Sequence, residues 1–270
     1  MILTYILRVV LLAAFTGVPF VAIAGSNDAD FDKYIEELKY LSLKDPKPAI
    51  ANIASGFGAG AGVFYAAVSY SNFDTQTNVE DDDDGSIAFG VGLGNASTGV
   101  GGEITVGITS VSTSYWGDGK FADEGNVSVK LHKQLPPFLD GDAASLSLGA
   151  SNVAGWGSTV DNPVNVYTAL SGKKNFGKYK QYGLAYTIGL GSAVGKNETK
   201  ADVFLGVGLG YDDWSVSFSQ IGEESHLGAT YFIPQLPNVA LSVTQADAFD
   251  RLNTRRIITT LSYSFQRNGF

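Results

Sequence analysis

The sequence predicts an all-β fold, a closed antiparallel up-and-down transmembrane β-barrel of about twelve strands with a short N-terminal helix. From Gly56 onward, large apolar residues alternate with small ones at a period of two, which is the period of a β-strand. Charged residues make up 17% of the chain and concentrate in the connections between these runs. After the first 24 residues, no segment holds the roughly 20 consecutive apolar residues that a membrane-spanning helix needs.

The first 24 residues predict a secretory signal peptide. One Arg precedes an apolar run, and Ala22-Ile23-Ala24 forms a small-residue cleavage site before Gly25. A membrane-anchor helix is the alternative, because the stretch is just long enough to span a bilayer. Either way, we expect the chain to leave the cytosol.

Residues 25–55 predict an amphipathic helix followed by a linker. Their apolar residues recur at helical spacing before the sequence DPKP. These are Phe31, Tyr34, Ile35, Leu38 and Leu41. The helix is expected to dock as an N-terminal extension or, alternatively, to fill or gate a lumen.

Residues 56–270 predict the barrel itself, because each alternating run has one bulky face and one small face. Loss of alternation near Ser110 predicts a β-bulge there. The predicted strands are 62–72, 86–95, 102–112, 126–134, 144–153, 164–172, 182–192, 201–211, 214–220, 227–233, 238–244 and 256–265.

The small faces decide which side of the sheet meets lipid. The exterior of a soluble barrel would carry charges at roughly 25–35% of its surface, but the small faces here hold mainly Gly, Ser, Ala and Thr. We therefore expect the bulky faces to meet lipid and the small faces to line a lumen. A twelve-strand lumen is too wide for such side chains to fill, so water, the N-terminal helix or inward loops must occupy it. A secreted soluble β-sandwich or barrel is the alternative.

The chain end resembles the last strand of bacterial outer-membrane β-barrel proteins, with Tyr263, Phe265 and the terminal Phe270 in LSYSFQRNGF. The segments DDGSIAFGVGLG, VKLHKQLP and AGWG also look like uncharacterised, porin-like members of this group. The resemblance covers roughly residues 56–270, and it departs from the group because Phe270 is out of phase with the two earlier aromatics. It implies location in the bacterial outer membrane, with outer-membrane lipid and the barrel-assembly machinery as partners.

In such barrels the periplasmic turns are short and the outer loops are longer. The shortest connection in the sequence is Asp212-Asp213, which predicts a periplasmic turn. Tyr211 and Trp214 flank this turn and are expected to be interfacial aromatics. By parity the acidic connections fall on the outer side, and an even strand number places both ends of the barrel in the periplasm.

Candidate functional residues fall into two groups. Lumen-facing candidates come from the small faces of the third and fourth strands, and acidic outer-loop candidates would raise the local concentration of cations at a pore mouth. The lumen-facing candidates are Glu103, Lys130 and His132. The acidic candidates are Asp81, Asp82, Asp83, Asp84, Glu223 and Glu224, and we expect the DDDD run to be a solvated loop rather than a metal site.

The function that these observations predict is porin-like passage of small solutes or ions, with no cofactor, no metal and no enzymatic activity. A structural or interaction barrel plugged by its N-terminal helix is the alternative. A hydrolase using His226 near the rim is a further one, although adjacent strand residues such as Ser225 face opposite sides. The net charge of −9 argues against nucleic acid as a partner, and the oligomeric state stays open.

Overall fold

The computed structural model describes residues 45–73, 84–109, 111, 122–194, 200–236 and 238–266. The chain divides into two units, Met1–Leu43 and Lys44–Phe270, and the first lies outside the described residues. The predicted signal peptide and N-terminal helix therefore lie outside the described part, as do residues 81–83, Ser110 and Phe270. No helix in the described ranges is long and apolar enough to cross a membrane.

The described chain forms twelve antiparallel strands that close into one barrel, in which each strand pairs with its sequence neighbours and β1 pairs with β12. This confirms the predicted fold class. The strands are β1 Val63–Phe73, β2 Asp84–Gly94, β3 Gly101–Ile108, β4 Gly125–Leu135, β5 Ala143–Trp156, β6 Asn165–Phe176, β7 Tyr182–Gly191, β8 Asp202–Tyr211, β9 Trp214–Ile221, β10 Glu224–Phe232, β11 Val239–Ala246 and β12 Arg256–Gln266.

An irregularity in the ladder occurs between β4 and β5. The register shifts between Val127 and Val129, and on β5 Asn152 adopts a φ of 56°. Ser128 on β4 stands opposite residues 151–153 of β5, so β5 carries two extra residues here, as in a β-bulge. β5 continues to Trp156, beyond the predicted end at residue 153. The bulge predicted from the sequence near Ser110 falls on a residue outside the described set.

The barrel is apolar outside and polar inside. The hydrophobic residues that are buried in the described ranges are Ala144, Ala169, Phe204 and Ala246, whereas the fully buried larger side chains are Asp247 and serines. On β8, Val203 and Leu205 are exposed to 57% and 43%. They alternate with the buried Phe204 and the buried glycines at 206, 208 and 210. This is the reverse of a soluble core, because the bulky faces point outward.

The two ends of the barrel differ in their connections. We call the end with the Asp212–Asp213 turn the turn end and the opposite end the loop end. Most loop-end connections are long, including those spanning 109–124 and 247–255. However, Gly222 and Glu223 alone connect β9 to β10 at the loop end, so Asp212-Asp213 is not uniquely short as the sequence suggested. Both turns have a left-handed first residue, with φ of 53° at Asp212 and 56° at Gly222, as tight hairpins require.

Candidate functional site

The barrel lumen contains residues 45–61, which we call the lumen segment. The sequence predicted a linker up to residue 55 and the start of the barrel at Gly56, and it left open what fills the lumen. The glycines of β8 face the segment at very short range: a Cβ added at Gly208 would lie 2.1 Å from the Ala49 carbonyl oxygen. Only glycine leaves room for a second backbone at this distance. The small face of β8 is therefore filled by the protein's own chain.

Serines of β9 hold the first half of the lumen segment through its main chain. Ser215 Oγ accepts a hydrogen bond from the Ala49 N–H (2.9 Å) and donates to the Ala49 carbonyl (3.1 Å). The Ala51 N–H donates to Ser217 Oγ (3.2 Å), and Ser219 Oγ donates to the Ala51 carbonyl (3.2 Å). Three successive inward-facing serines thus satisfy backbone groups that would otherwise be unpaired in the lumen.

The second half of the lumen segment crosses to β5 and β6. The Gly56 N–H donates to Ser171 Oγ (2.8 Å), and Ser147 Oγ donates to the Ser55 carbonyl (3.1 Å). Ser147 and Ser171 are each about 1% exposed. We call the inward-facing residues of β5 to β9 that contact the segment the occupied wall. They include Ser147, Ser171, Gly206, Gly208, Gly210, Ser215, Ser217 and Ser219.

An ion pair holds the segment near its end. Lys130 Nζ lies 3.1 Å from Glu103 Oε1, and both side chains are nearly buried. The Ala59 N–H donates to Glu103 (2.8 Å), and Lys130 donates to the Phe57 carbonyl (3.2 Å). Tyr65 donates a further hydrogen bond to Glu103 (2.9 Å). Two of the sequence-selected candidates, which are adjacent in the β3–β4 register, therefore act together on the lumen segment.

His132, the third lumen candidate, lies beside this ion pair on β4. Its ring is packed between Gly58 of the lumen segment and Gly101 of β3, at each of which an added Cβ would lie 2.4 Å from a ring nitrogen. The residue is 4% exposed, and Nδ1 has no hydrogen-bond partner among the described residues. His132 also borders a cavity of about 560 Å³ at the turn end, together with Gln134, Ser145 and Lys173.

The opposite side of the lumen is less covered. We call a set of six inward-facing residues of β1 and β12 the open wall, and they remain partly accessible to solvent. They are Ala67, Ser69, Ile258, Thr260, Ser262 and Ser264. Ser69 and Thr260 bond each other at 2.8 Å, and Ser262 donates to the Ala240 carbonyl of β11. Among the described residues, these hydroxyls bond strands of the barrel rather than the lumen segment.

At the loop end the acidic candidates are placed differently from the sequence expectation. Glu223 is exposed in its turn, but Glu224 is the first residue of β10 and is 7% exposed. Arg256 of β12 explains this burial, because its Nη1 and Nη2 donate to the two carboxylate oxygens of Glu224 at 2.5 and 3.3 Å. Asp84 begins β2, while residues 81–83 lie outside the described set.

His226 is also buried rather than solvated, at 3% exposure. Its Nε2 lies 3.4 Å from Glu224 Oε2. Ser225 instead donates to Gln220 (2.6 Å), and Nδ1 of His226 has no hydrogen-bond partner in the described chain. The hydrogen-bonded Ser–His pair that nucleophilic catalysis requires is therefore not formed by these two neighbours.

Asp247 organises the loop between β11 and β12 and is 1% exposed. Its carboxylate accepts hydrogen bonds from the backbone N–H groups of Arg251 (2.8 Å), Leu252 (3.0 Å) and Thr254 (3.1 Å). Burial by itself raises the pKa of this carboxyl, but the three N–H donors more than compensate and hold the pKa below its ordinary value.

Aromatic residues surround the turn end on the outer surface. Tyr211 and Trp214 are exposed to 52% and 57%. The ring of Tyr211 lies 5.3 Å from that of Tyr182, and the ring of Trp214 lies 4.5 Å from that of Tyr231. Phe176 extends the row toward β6, with its ring 5.5 Å from that of Tyr182. Such a row is typical of the level at which a barrel meets lipid headgroups.

Sequence reasoning missed the lumen segment, the serines that hold it, and Arg256. The alternation did place Arg256 in phase with the small-face residues of the last strand, so its inward direction could have been read from the sequence. The small residues of the segment PAIANIASGFGAG were a second signal, because such a chain fits against another backbone.

No protein-family model matches the sequence, and no curated protein matches it. Among solved structures, the KdgM porin has 12% sequence identity, with 75% of this chain and 99% of that chain covered, at a TM-score of 0.47. An outer membrane channel from Pseudomonas putida F1 has 9% identity, with coverage of 80% and 100% and a TM-score of 0.45. The outer membrane protein Omp33 of Acinetobacter baumannii has 15% identity, with coverage of 75% and 97% and a TM-score of 0.42.

Proposed function

We propose that this chain is a bacterial outer-membrane barrel that passes small polar solutes or ions through its lumen. The observation that carries the proposal is the inverted distribution of residues, with large apolar side chains exposed outside and hydroxyl, glycine and charged residues inside. An apolar exterior of this kind is stable against lipid, and a polar interior provides hydrogen bonds to solutes that have left water.

In this proposal the solute path runs along the open wall. The hydroxyls of the open wall are partly accessible and bond other strands of the barrel, whereas the occupied wall is covered by the lumen segment. The turn end, which carries the aromatic row, faces the periplasm. At the loop end the exposed Glu223 favours cations at the outer mouth. The Asp81–Asp84 run, which the sequence predicts to be an outer loop, would add to this preference.

Current through planar bilayers tests this function. Because the chain has no cysteine, the double substitution Ile50→Cys/Gly206→Cys creates a single disulfide candidate between the lumen segment and β8. A Cβ added at Gly206 would lie 2.7 Å from Cγ2 of Ile50, so the Cβ atoms of the two cysteines would lie at most roughly 4.2 Å apart, which a disulfide can bridge. We expect KCl current from the wild-type chain, and a persisting smaller current from the oxidised, locked variant.

A second function is favoured by one specific observation, the set of hydrogen bonds that holds the lumen segment. In this alternative the barrel is structural, is closed by its own chain, and presents its loops to partners. It requires that neither the wild type nor the reduced Ile50→Cys/Gly206→Cys variant conducts, although both migrate as folded barrels on an unheated gel. Absence of current from both would therefore contradict the channel function.

A further inference from the structure

We propose that the occupied wall is a binding site for extended oligopeptides, and that short peptides with small side chains are solutes of this barrel. The inference rests on the proposed function, because a peptide reaches this wall only if the lumen admits solutes. The lumen segment itself carries the argument, since it is a peptide seated on the wall and reveals which chemical groups the wall binds.

The wall binds main-chain groups and supplies both donors and acceptors. Serine hydroxyls bond the backbone of Ala49, Ala51, Ser55 and Gly56. The Glu103–Lys130 pair continues the same pattern, with the carboxylate accepting from an N–H and the ammonium donating to a carbonyl. Because main-chain groups are common to all peptides, this recognition does not depend on side-chain identity.

The spacing of the serines matches the repeat of an extended peptide. Ser215, Ser217 and Ser219 occupy alternate positions on one face of β9, so they recur about every 6.6 Å along the strand. The segment residues that they bind, Ala49 and Ala51, are likewise two residues apart. The match covers Ala49 to Ala51, because the segment turns at Asn52, whose φ is 55°. Over such a stretch the main-chain groups of an extended peptide would meet the three hydroxyls of β9.

The wall also limits the size and charge of the side chains that fit. Pro48 packs over Gly210, and Ala51 packs over Gly228 of the neighbouring β10, where an added Cβ would lie 2.8 Å from the Ala51 Cβ. Ile50 and Ile53 pack against Gly206 and are the largest side chains within residues 48–53. All six of these residues are uncharged, whereas the preceding Lys47 places its Nζ over the Phe232 ring. The ligand that fits is therefore a peptide with uncharged side chains no larger than Ile.

A free peptide competes with the lumen segment, which is tethered and therefore present at an effective concentration on the order of millimolar. Removal of the segment's donors should lower this competition while leaving the wall intact. The variant Ala49→Pro/Ala51→Pro, called the unlatched variant, lacks the two N–H groups that donate to Ser215 and Ser217.

The experiment uses full-length proteins in planar bilayers with KCl and the blocked hexapeptide of residues 48–53, Pro-Ala-Ile-Ala-Asn-Ile. We expect the peptide to reduce the current, at a concentration about tenfold lower in the unlatched variant than in the wild type. In the unlatched background, Ser215→Ala/Ser217→Ala/Ser219→Ala should raise the blocking concentration about tenfold or more, because each serine contributes a hydrogen bond.

A matched control removes inward hydroxyls that belong to neither wall. Thr230 of β10 and Ser242 of β11 bond each other at 2.9 Å, so Thr230→Val/Ser242→Ala should leave the blocking concentration unchanged. In the oxidised Ile50→Cys/Gly206→Cys variant the segment cannot leave, and block should be lost until dithiothreitol is added. An unheated gel confirms that each variant retains the folded barrel.

Each remaining outcome overturns a defined statement. Current without peptide block, or block that the β9 serines do not affect, overturns the peptide site and leaves the channel function intact. Equal block by a linear malto-oligosaccharide through the same serines also overturns it, because the wall would then bind hydroxyl-rich polymers in general. Absence of KCl current from every variant overturns the channel function and this inference with it.

Discussion

The occupied wall and the open wall are built from the same kinds of residue, but their hydroxyls have different partners. Ser215 on the occupied wall bonds the lumen segment, whereas Ser262 on the open wall bonds the neighbouring strand at the Ala240 carbonyl. The difference teaches that a small, polar inner face does not by itself form a pore. Whether it lines space or holds a chain depends on whether glycines leave room for a second backbone, as β8 does.

Among the substitutions that test this difference between the two walls, the largest effect is expected at the Glu103–Lys130 pair. Glu103→Gln leaves a nearly buried ammonium without its partner, so we expect a loss of about 3 kcal/mol in the free energy of unfolding. The matched control is Asp250→Asn, whose partner Arg255 lies 3.4 Å away in an exposed pair and which should cost under about 1 kcal/mol. Urea unfolding in detergent measures both, and equal losses would contradict a role of the first pair in holding the segment.

Gly208→Ala tests the close approach on β8. The added Cβ would lie 2.1 Å from the Ala49 carbonyl oxygen, so we expect a loss of about 2 kcal/mol from overpacking. Gly102→Ala is the control, because its Cβ would meet its nearest neighbour at 3.8 Å, an ordinary contact. Unfolding by urea distinguishes the two, and an unchanged stability for Gly208→Ala would show that the segment leaves this wall easily.

Asp247 offers a contrast at the loop end, where a single carboxylate rather than a wall organises the chain. Because hydrogen bonds lower its folded-state pKa, its stabilising contribution is complete above the unfolded pKa, near about 3.9, and is lost as the pH falls through the folded value.

Asp247→Asn should therefore increase hydrogen exchange at the Arg251, Leu252 and Thr254 amides at pH 6, equivalent to about 1.5 kcal/mol. The difference from the wild type should shrink as the pH falls below about 4. A difference that is independent of pH would contradict this account of the loop.

A bulky substitution on the open wall tests the assigned solute path. Ser262→Phe projects a ring into the accessible side of the lumen, so we expect KCl conductance to fall roughly twofold. Its outward-facing neighbour provides the control, because Leu261 is 49% exposed on the lipid side and Leu261→Phe should leave the conductance unchanged. Equal effects of the two substitutions would contradict the assignment of the solute path to the open wall.

The smallest effect is expected at the outer mouth. Glu223→Gln removes one exposed charge beside the lumen entrance, so cation preference should decrease slightly at low salt and become undetectable near 1 M KCl, where the screening length is about 3 Å. Reversal potentials across a KCl gradient provide the measurement. An unchanged reversal potential at low salt would contradict a contribution of Glu223 to cation preference.

The predicted strands agree with the observed ones within a few residues, because side-chain alternation is a local property of an extended chain. The prediction was less accurate where a partner distant in the sequence changed the burial of a residue. Glu224 and His226 were interpreted as loop residues, since nothing near them in the sequence marks the ion pair that Arg256 makes across two strands. The charged candidates Glu103 and Lys130 were selected by phase alone, without knowledge of the backbone that they bind.

The sequence by itself determined the class of fold, the outward direction of the bulky faces and the tight turn between Tyr211 and Trp214. The period of two and the turn-forming Asp212-Asp213 are local features, so they can be recognised in the sequence without knowledge of the packing. Only the tertiary structure decided where residues 45–61 lie. Ala49 and Ser215 are 166 residues apart in the chain, and a contact over that distance depends on closure of the barrel, which no local pattern encodes.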